Sequence, residues 1–150
     1  MSESSLKEKI TESMKSAMRV KDKARLSAIR LAMSEIKRVE VDTRSEQNDT
    51  EIITILDKMV KQRRESIKQF KVADRQELVA QEEMEIQILN EFLPQPLSED
   101  ELDSIIGSAI AQCDAKTMQH MGKVMGIIKP QIIGRADMSL VSAKIKALLG

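Results

Sequence analysis

The sequence predicts an all-α, multihelical protein of two small helical domains joined by a partly helical, Pro-marked linker. Three observations lead there. Apolar residues recur three or four positions apart through nearly the whole chain, which is the period of a helix with one buried face. Capping-box pairs, Ser5 with Glu8 and Ser98 with Glu101, stand just ahead of such runs. Pro94 and Pro96 interrupt the pattern in LPQPLSEDEL, where they break helix and stiffen the chain.

Each element follows in order. Leu6, Ile10, Met14, Ala17 and Met18 give a first helix behind the Ser5 cap. A second starts near Asp22, with Leu26, Ile29, Met33, Ile36 and Val39 on its apolar face. The polar stretch TRSEQNDT, residues 43–50, reads as a loop. Asp49 is expected to cap a third helix that buries Ile52, Leu56, Met59, Val60, Ile67 and Phe70. Its β-branched start, EIITIL, suggests strand locally, but the helical period downstream outweighs that propensity. Asp74 with Glu77 reads as the cap of a fourth helix running towards Phe92. Past the prolines, Leu102, Ile105, Ile106, Ala109 and Ile110 make a fifth helix. Met118, Met121, Val124, Met125 and Ile128 make a sixth, and Asp137 caps a seventh over about 138–149. The expected domains are 1–93 and 98–150, with a hinge at 94–97. The second has about 53 residues, small enough to be marginal alone.

Composition narrows the function classes. Phe70 and Phe92 are the only aromatic residues, so the core must be Leu, Ile, Val, Met and Ala. Net charge is zero but zoned. Residues 1–73 carry a net of +5, residues 74–114 a net of −10, and residues 115–150 a net of +5. Cys113 is the single cysteine and His120 the single histidine. No internal disulfide and no four-ligand zinc site can be assembled from them. No phosphate loop and no GxGxxG is present. The expectation is therefore no cofactor, no metal, no catalytic residue and no membrane partner. The start, MSESSLKEKI, has no apolar signal core, and a cytoplasmic location is expected from it.

Two basic signals remain. Lys61, Arg64, Lys68 and Lys71 follow helical spacing. Such a stripe either is a solvated helix face or tracks phosphates by displacing counterions. The second signal is MGKVMGIIKPQIIGRADMSLVSAKIKALLG, residues 121–150, with three interior glycines among lysines. Gly122 and Gly126 lie close to one helix face, where small residues let another backbone approach. Gly134 fits a helix C′ position with positive φ. Pro130 should disturb the helix, since it has no N–H and biases Lys129 away from it. Lys123, Lys129, Arg135, Lys144 and Lys146 are nearly unopposed by acids, and exposed amides at the last helix start would add anion affinity. Met118, Met121 and Met125 form a stripe that is either core or an adaptable partner groove.

These same residues carry a resemblance. MGKVMGIIKPQIIGRADMSLVSAKIKALL resembles the C-terminal signature of the YqeY-like family, and EIQILNEFLPQPLSEDEL and the N-terminal LKEKITESMKSAMRVKDKARLSAIRLAMSEIKRVEVD look like the same family. That family shares its helical domains with the tail of the B subunit of glutamine-dependent tRNA amidotransferases. The resemblance implies two helical domains and a connection to tRNA, with Gly122, Lys123, Gly126, Gly134 and Arg135 as signature positions. It also implies a label of carbon–nitrogen ligase with glutamine as amido-N-donor, although the catalytic cradle and glutaminase subunit of the full enzyme have no counterpart in this stretch.

The expected function is thus a non-catalytic accessory protein that binds tRNA or another structured RNA. Its binding residues would be Gly122, Lys123, Gly126, Lys129, Gly134, Arg135, Lys144 and Lys146, with the 61–71 stripe secondary. The scarcity of aromatic rings argues against single-strand binding by base stacking and for contact through phosphates and shape. The alternatives are an adaptor docking on an amidotransferase or aminoacyl-tRNA synthetase, and direct participation in amide transfer.

Overall fold

The Ser5 side chain accepts a hydrogen bond from the Glu8 amide at 3.2 Å and opens the first helix. A computed structural model describes residues 5–150. Among them are α1 (Leu6–Arg19), α2 (Lys23–Thr43), α3 (Asp49–Val72), α4 (Gln76–Asn90), α5 (Glu99–Gln112), α6 (Met121–Ile132) and α7 (Met138–Leu149), with one 3-10 turn at Met118–His120. No strand occurs among the described residues, so the fold is all-α and multihelical. The chain divides into two compact units between Pro94 and Gln95.

The first unit holds α1–α4. Its core comprises Leu6, Ile10 and Ala17 of α1, Ala28, Ile29, Ala32 and Ile36 of α2, Ile52, Leu56, Met59 and Val60 of α3, and Ile88 and Leu89 of α4. Each fully buried Ile, Leu or Val contributes about 1.5–3 kcal/mol. No ring is needed in this core. Phe92 packs against its edge.

The second unit builds its own core from Leu102, Ile106 and Ala109 of α5, Val124, Ile128 and Ile132 of α6, Val141, Ile145 and Leu149 of α7, and Ala115. Met121 and Met125 pack against it, whereas Met118 is exposed in the 3-10 turn. Two of the three methionines therefore line the edge of the core. Gln95 and Leu97 are fastened to this unit: the Arg135 Nε donates to the Gln95 carbonyl at 3.0 Å, and the Leu97 amide donates to the Arg135 carbonyl at 2.9 Å.

Four helices end in the same way. Lys21, Arg44, Asp74 and Asp114 all have positive φ, between 49° and 58°. The next amide in each case donates five residues back: Asp22 to Ala17, Ser45 to Glu40, Arg75 to Phe70 and Ala115 to Ile110. This is the Schellman closure, made without glycine.

Three expectations are corrected. Asp49 does not cap α3: Asn48 does, in a capping box with Glu51. Asp49 instead accepts from the Leu6 amide at 3.0 Å and so caps α1 from 43 residues away. Asp74 does not cap α4, because it is spent on the left-handed residue that closes α3. Glu77 pairs with Arg75 at 2.7 Å, and α4 has no side-chain cap. Pro130 does not end α6, which runs on to Ile132. The proline lies on an exposed face two residues from the helix end, where one missing hydrogen bond is tolerated.

Candidate nucleic-acid interface

The face of α6 away from the core carries Gly122, Lys123, Gly126, Lys129 and Pro130, all exposed. Helical geometry places them within about a third of a turn, while Val124, Ile128 and Ile132 point the other way into the core. A Cβ built on Gly122 or on Gly126 would meet nothing within 4 Å. The glycines therefore do not let a neighbouring helix of this unit approach. They leave a strip of bare backbone open to solvent. Pro130 adds to it: without an N–H it cannot bond the Gly126 carbonyl, which loses its usual i+4 donor. Lys123 and Lys129 flank the strip and have no carboxylate partner among the described residues.

The other expected residues separate into different roles. Gly134 has φ 72° and turns the chain between α6 and α7. Arg135 holds Gln95 and Leu97, as described. Lys144 donates to Asp103 at 2.8 Å and ties α7 to α5. That hydrogen bond, opposed by desolvation and helped by the charge on Asp103 and Glu99, raises the Lys144 ammonium above its ordinary range. Lys146 is exposed in the last turn of α7. A carboxylate stands at the α7 start: Asp137 accepts from the Ser139 amide at 2.9 Å. His120 is a structural group, its Nδ1 facing the Lys116 and Thr117 amides at 3.3 and 3.4 Å.

In the secondary stripe on α3, Lys61 pairs with Asp57 at 3.3 Å and Lys68 with Glu65 at 3.8 Å. Arg64 and Lys71 are exposed with no carboxylate partner among the described residues. Its neighbour Arg63 turns inward to Glu85 of α4. Sequence spacing gave no sign of this, since the partner lies 22 residues on.

Sequence reading also missed a groove of about 760 Å³ between α1 and α2 in the first unit, lined by Ile10, Met14, Met33, Ile36, Arg30 and Lys37 among others. Nothing in the one-dimensional pattern shows that two helices leave their seam partly open. Among the described residues no cluster of three or more His, Cys, Asp or Glu is placed to hold a metal ion. No helix among them is long and apolar enough to cross a membrane.

Comparison with known proteins finds relatives along most of the chain. The chain is 30% identical over 140 residues to the altered inheritance of mitochondria protein 41, mitochondrial, of Pyrenophora tritici-repentis, covering 91% of this chain and 77% of that protein. A protein of the same name from Kluyveromyces lactis is 29% identical over 92% of this chain and 72% of its own length. A Schizosaccharomyces pombe protein is 36% identical over 93 residues, 62% of this chain and 72% of that protein. The cytoplasmic expectation is corrected by these relatives, two of which are named as mitochondrial. Organelle targeting segments are amphipathic rather than apolar, so a polar start does not distinguish the cytoplasm from an organelle. The model of the Yqey-like proteins matches residues 7–149, and the chain belongs to the YqeY-like family.

Proposed function

We propose that the second unit binds structured RNA, with tRNA the expected class, through the exposed face of α6. One observation carries the reading. Gly122 and Gly126 present bare backbone with open space where side chains would stand, between two exposed lysines that have no acidic partner among the described residues. A sugar–phosphate strand can approach such a strip closely, and the lysines neutralise its phosphates. The Gly126 carbonyl, deprived of its i+4 donor by Pro130, is a neutral acceptor on a cationic face. It suits a ribose 2′-OH, the group by which a protein distinguishes RNA from DNA. Lys146 supplies a further exposed cation in the same unit, while Arg135 and Lys144 act by holding the unit together.

The test is tRNA affinity as a function of salt, for the wild-type chain and for Lys123→Glu/Lys129→Glu. Binding should weaken with salt, and the log–log slope should fall by about one per lysine lost. A DNA hairpin of equal length should bind more weakly at every salt concentration. Affinity unchanged by the double charge reversal would reject the face. The link to amide transfer rests on the family resemblance alone. Release of ammonia from glutamine by the pure protein would be needed to support it.

A further inference from the structure

The groove between α1 and α2 is independent of the RNA reading and lies in the other unit. Its floor is apolar and adaptable: Ile10 and Met14 from α1, Met33 and Ile36 from α2, with Val41 exposed at one end. Methionine side chains repack readily around different apolar partners. From Arg30 to Val41 the lining on α2 covers about 16 Å of helix, room for about three turns of a docked helix.

The charge on its walls is positive on balance once internal pairs are removed. Lys7 and Glu40 bind each other at 2.8 Å. Arg38 is held by Asp42 within the lining and by Glu35 beside it, a cluster with one carboxylate in excess. The unpaired lining cations are Arg30 and Lys37, both exposed, with no carboxylate partner among the described residues; the Arg30 guanidinium donates to the Met18 sulfur at 4.0 Å. Lys23 continues their line along α2. It lines a smaller hollow of about 330 Å³ together with Leu26, Leu31 and Arg30. Lys23, Arg30 and Lys37 recur every seventh residue, so they form one row with about 10 Å between successive heads.

We propose that this groove is a docking site for an acidic amphipathic helix of another protein. Its apolar residues at i, i+3 or i+4 and i+7 would fill the Met14/Met33 floor, and its carboxylates at seven-residue intervals would meet Lys23, Arg30 and Lys37. A second copy of this chain fits poorly. The acidic helices α4 and α5 commit their apolar faces to their own cores, and α7, which exposes Leu140 and Leu148, carries lysines rather than acids. An RNA strand would leave the apolar floor unused.

The probe is an 18-residue synthetic helix with Leu at i, i+4, i+7 and i+11 and Glu at the flanking positions. Two controls accompany it: a scrambled peptide of equal composition, and one with Lys in place of each Glu. The full chain is labelled at its methionine methyls and titrated by NMR. Shifts at Met14 and Met33, with Met121 and Met125 unmoved, are the expected result. Arg30→Glu/Lys37→Glu, two exposed changes that leave the core intact, should weaken binding about tenfold or more. Met33→Gln, a milder change to the floor, should weaken it too. No shift at Met14 and Met33, equal affinity for the scrambled or Lys peptide, or displacement of the acidic peptide by tRNA at equal concentration would each overturn the proposal.

Discussion

Arg63 Nε donates to Glu85 Oε2 across 2.9 Å, joining α3 to α4, and the two side chains are only 15% and 11% exposed. Arg63 Nη1 also reaches the Met59 carbonyl at 3.2 Å. The pair is closed off from most of the solvent, so removing one member leaves an unpaired charge in a poorly solvated place. Glu85→Ala should destabilise the protein by about 3 kcal/mol. Arg63→Met combined with Glu85→Leu should recover most of that loss, since a packed apolar pair of similar volume has no charge to desolvate. Urea denaturation of the two variants checks this; equal losses in both would show that packing, rather than the charge, sets the cost.

Glu82 lies one turn from Glu85 on α4 and has no cation of its own among the described residues. Burial first, and then the Glu85 carboxylate, raise its carboxyl above the ordinary range, with Arg63 pulling the other way. A raised carboxyl binds its proton more tightly in the folded chain than in the unfolded one. Its favourable contribution is complete below the unfolded value and is lost as pH rises through the raised folded value. Glu82→Gln should therefore gain stability relative to wild type as pH rises from about 4 to 7. Thermal melts across that range give the difference directly. Glu35, Glu40 and Glu77, all lowered chiefly by hydrogen bonds from Arg38, Lys7 and Arg75, titrate with the opposite sign and cancel in the comparison. A difference that stayed flat with pH would remove Glu82 as the source.

Arg135 makes a third, local prediction. Its Nε holds the Gln95 carbonyl, and its own carbonyl accepts from Leu97. Arg135→Ala should release the side-chain half of this clasp only. Amide exchange at Leu97 should quicken by about fivefold, the worth of one net hydrogen bond, while amides of Val124, Ile128 and Val141 in the core remain protected. Faster exchange throughout the second unit would mean that Arg135 supports the whole core instead.

Helices and core faces were legible because they depend on period, and the period of Ile10, Ile29, Leu56, Ile106 and Ile128 is local information. All five are among the most deeply buried residues. Helix ends were read less well. Gly134 announced its positive φ, but Lys21, Arg44, Asp74 and Asp114 adopt the same conformation with no glycine to signal it. Their geometry is imposed by the helix that must pack next. Asp49 shows the same limit, a capping residue whose helix is 43 positions away. The basic C-terminal segment was visible as charge, but charge alone could not divide it. Lys144 and Arg135 look like Lys123 and Lys129 in sequence, yet each is fixed to a partner about 40 residues upstream. The groove between α1 and α2 was invisible, because an open seam is a property of two helices together.

The glycines of α6 give the sharpest separation between structural and binding roles. Neither Gly122 nor Gly126 has positive φ, and each has open space where a Cβ would stand. Alanine therefore fits at both positions and favours helix, by about 1 kcal/mol at Gly126 in the interior of α6 and by less at Gly122 in its first turn. Gly122→Ala/Gly126→Ala should raise the stability of the protein, so the glycines are a standing cost that folding alone does not explain. If the bare strip receives an RNA backbone, two methyl groups on it should hold that backbone away and weaken tRNA binding, even as the melting temperature rises. Gly107 on α5 is equally open and provides the control: Gly107→Ala should stabilise by about 1 kcal/mol, the worth of one interior site, and leave tRNA affinity unchanged. Isothermal titration with tRNA, beside thermal melts, reads both quantities for all three chains. A double variant that is more stable and binds as tightly as wild type would show that the strip is not the contact, whatever the lysines beside it do.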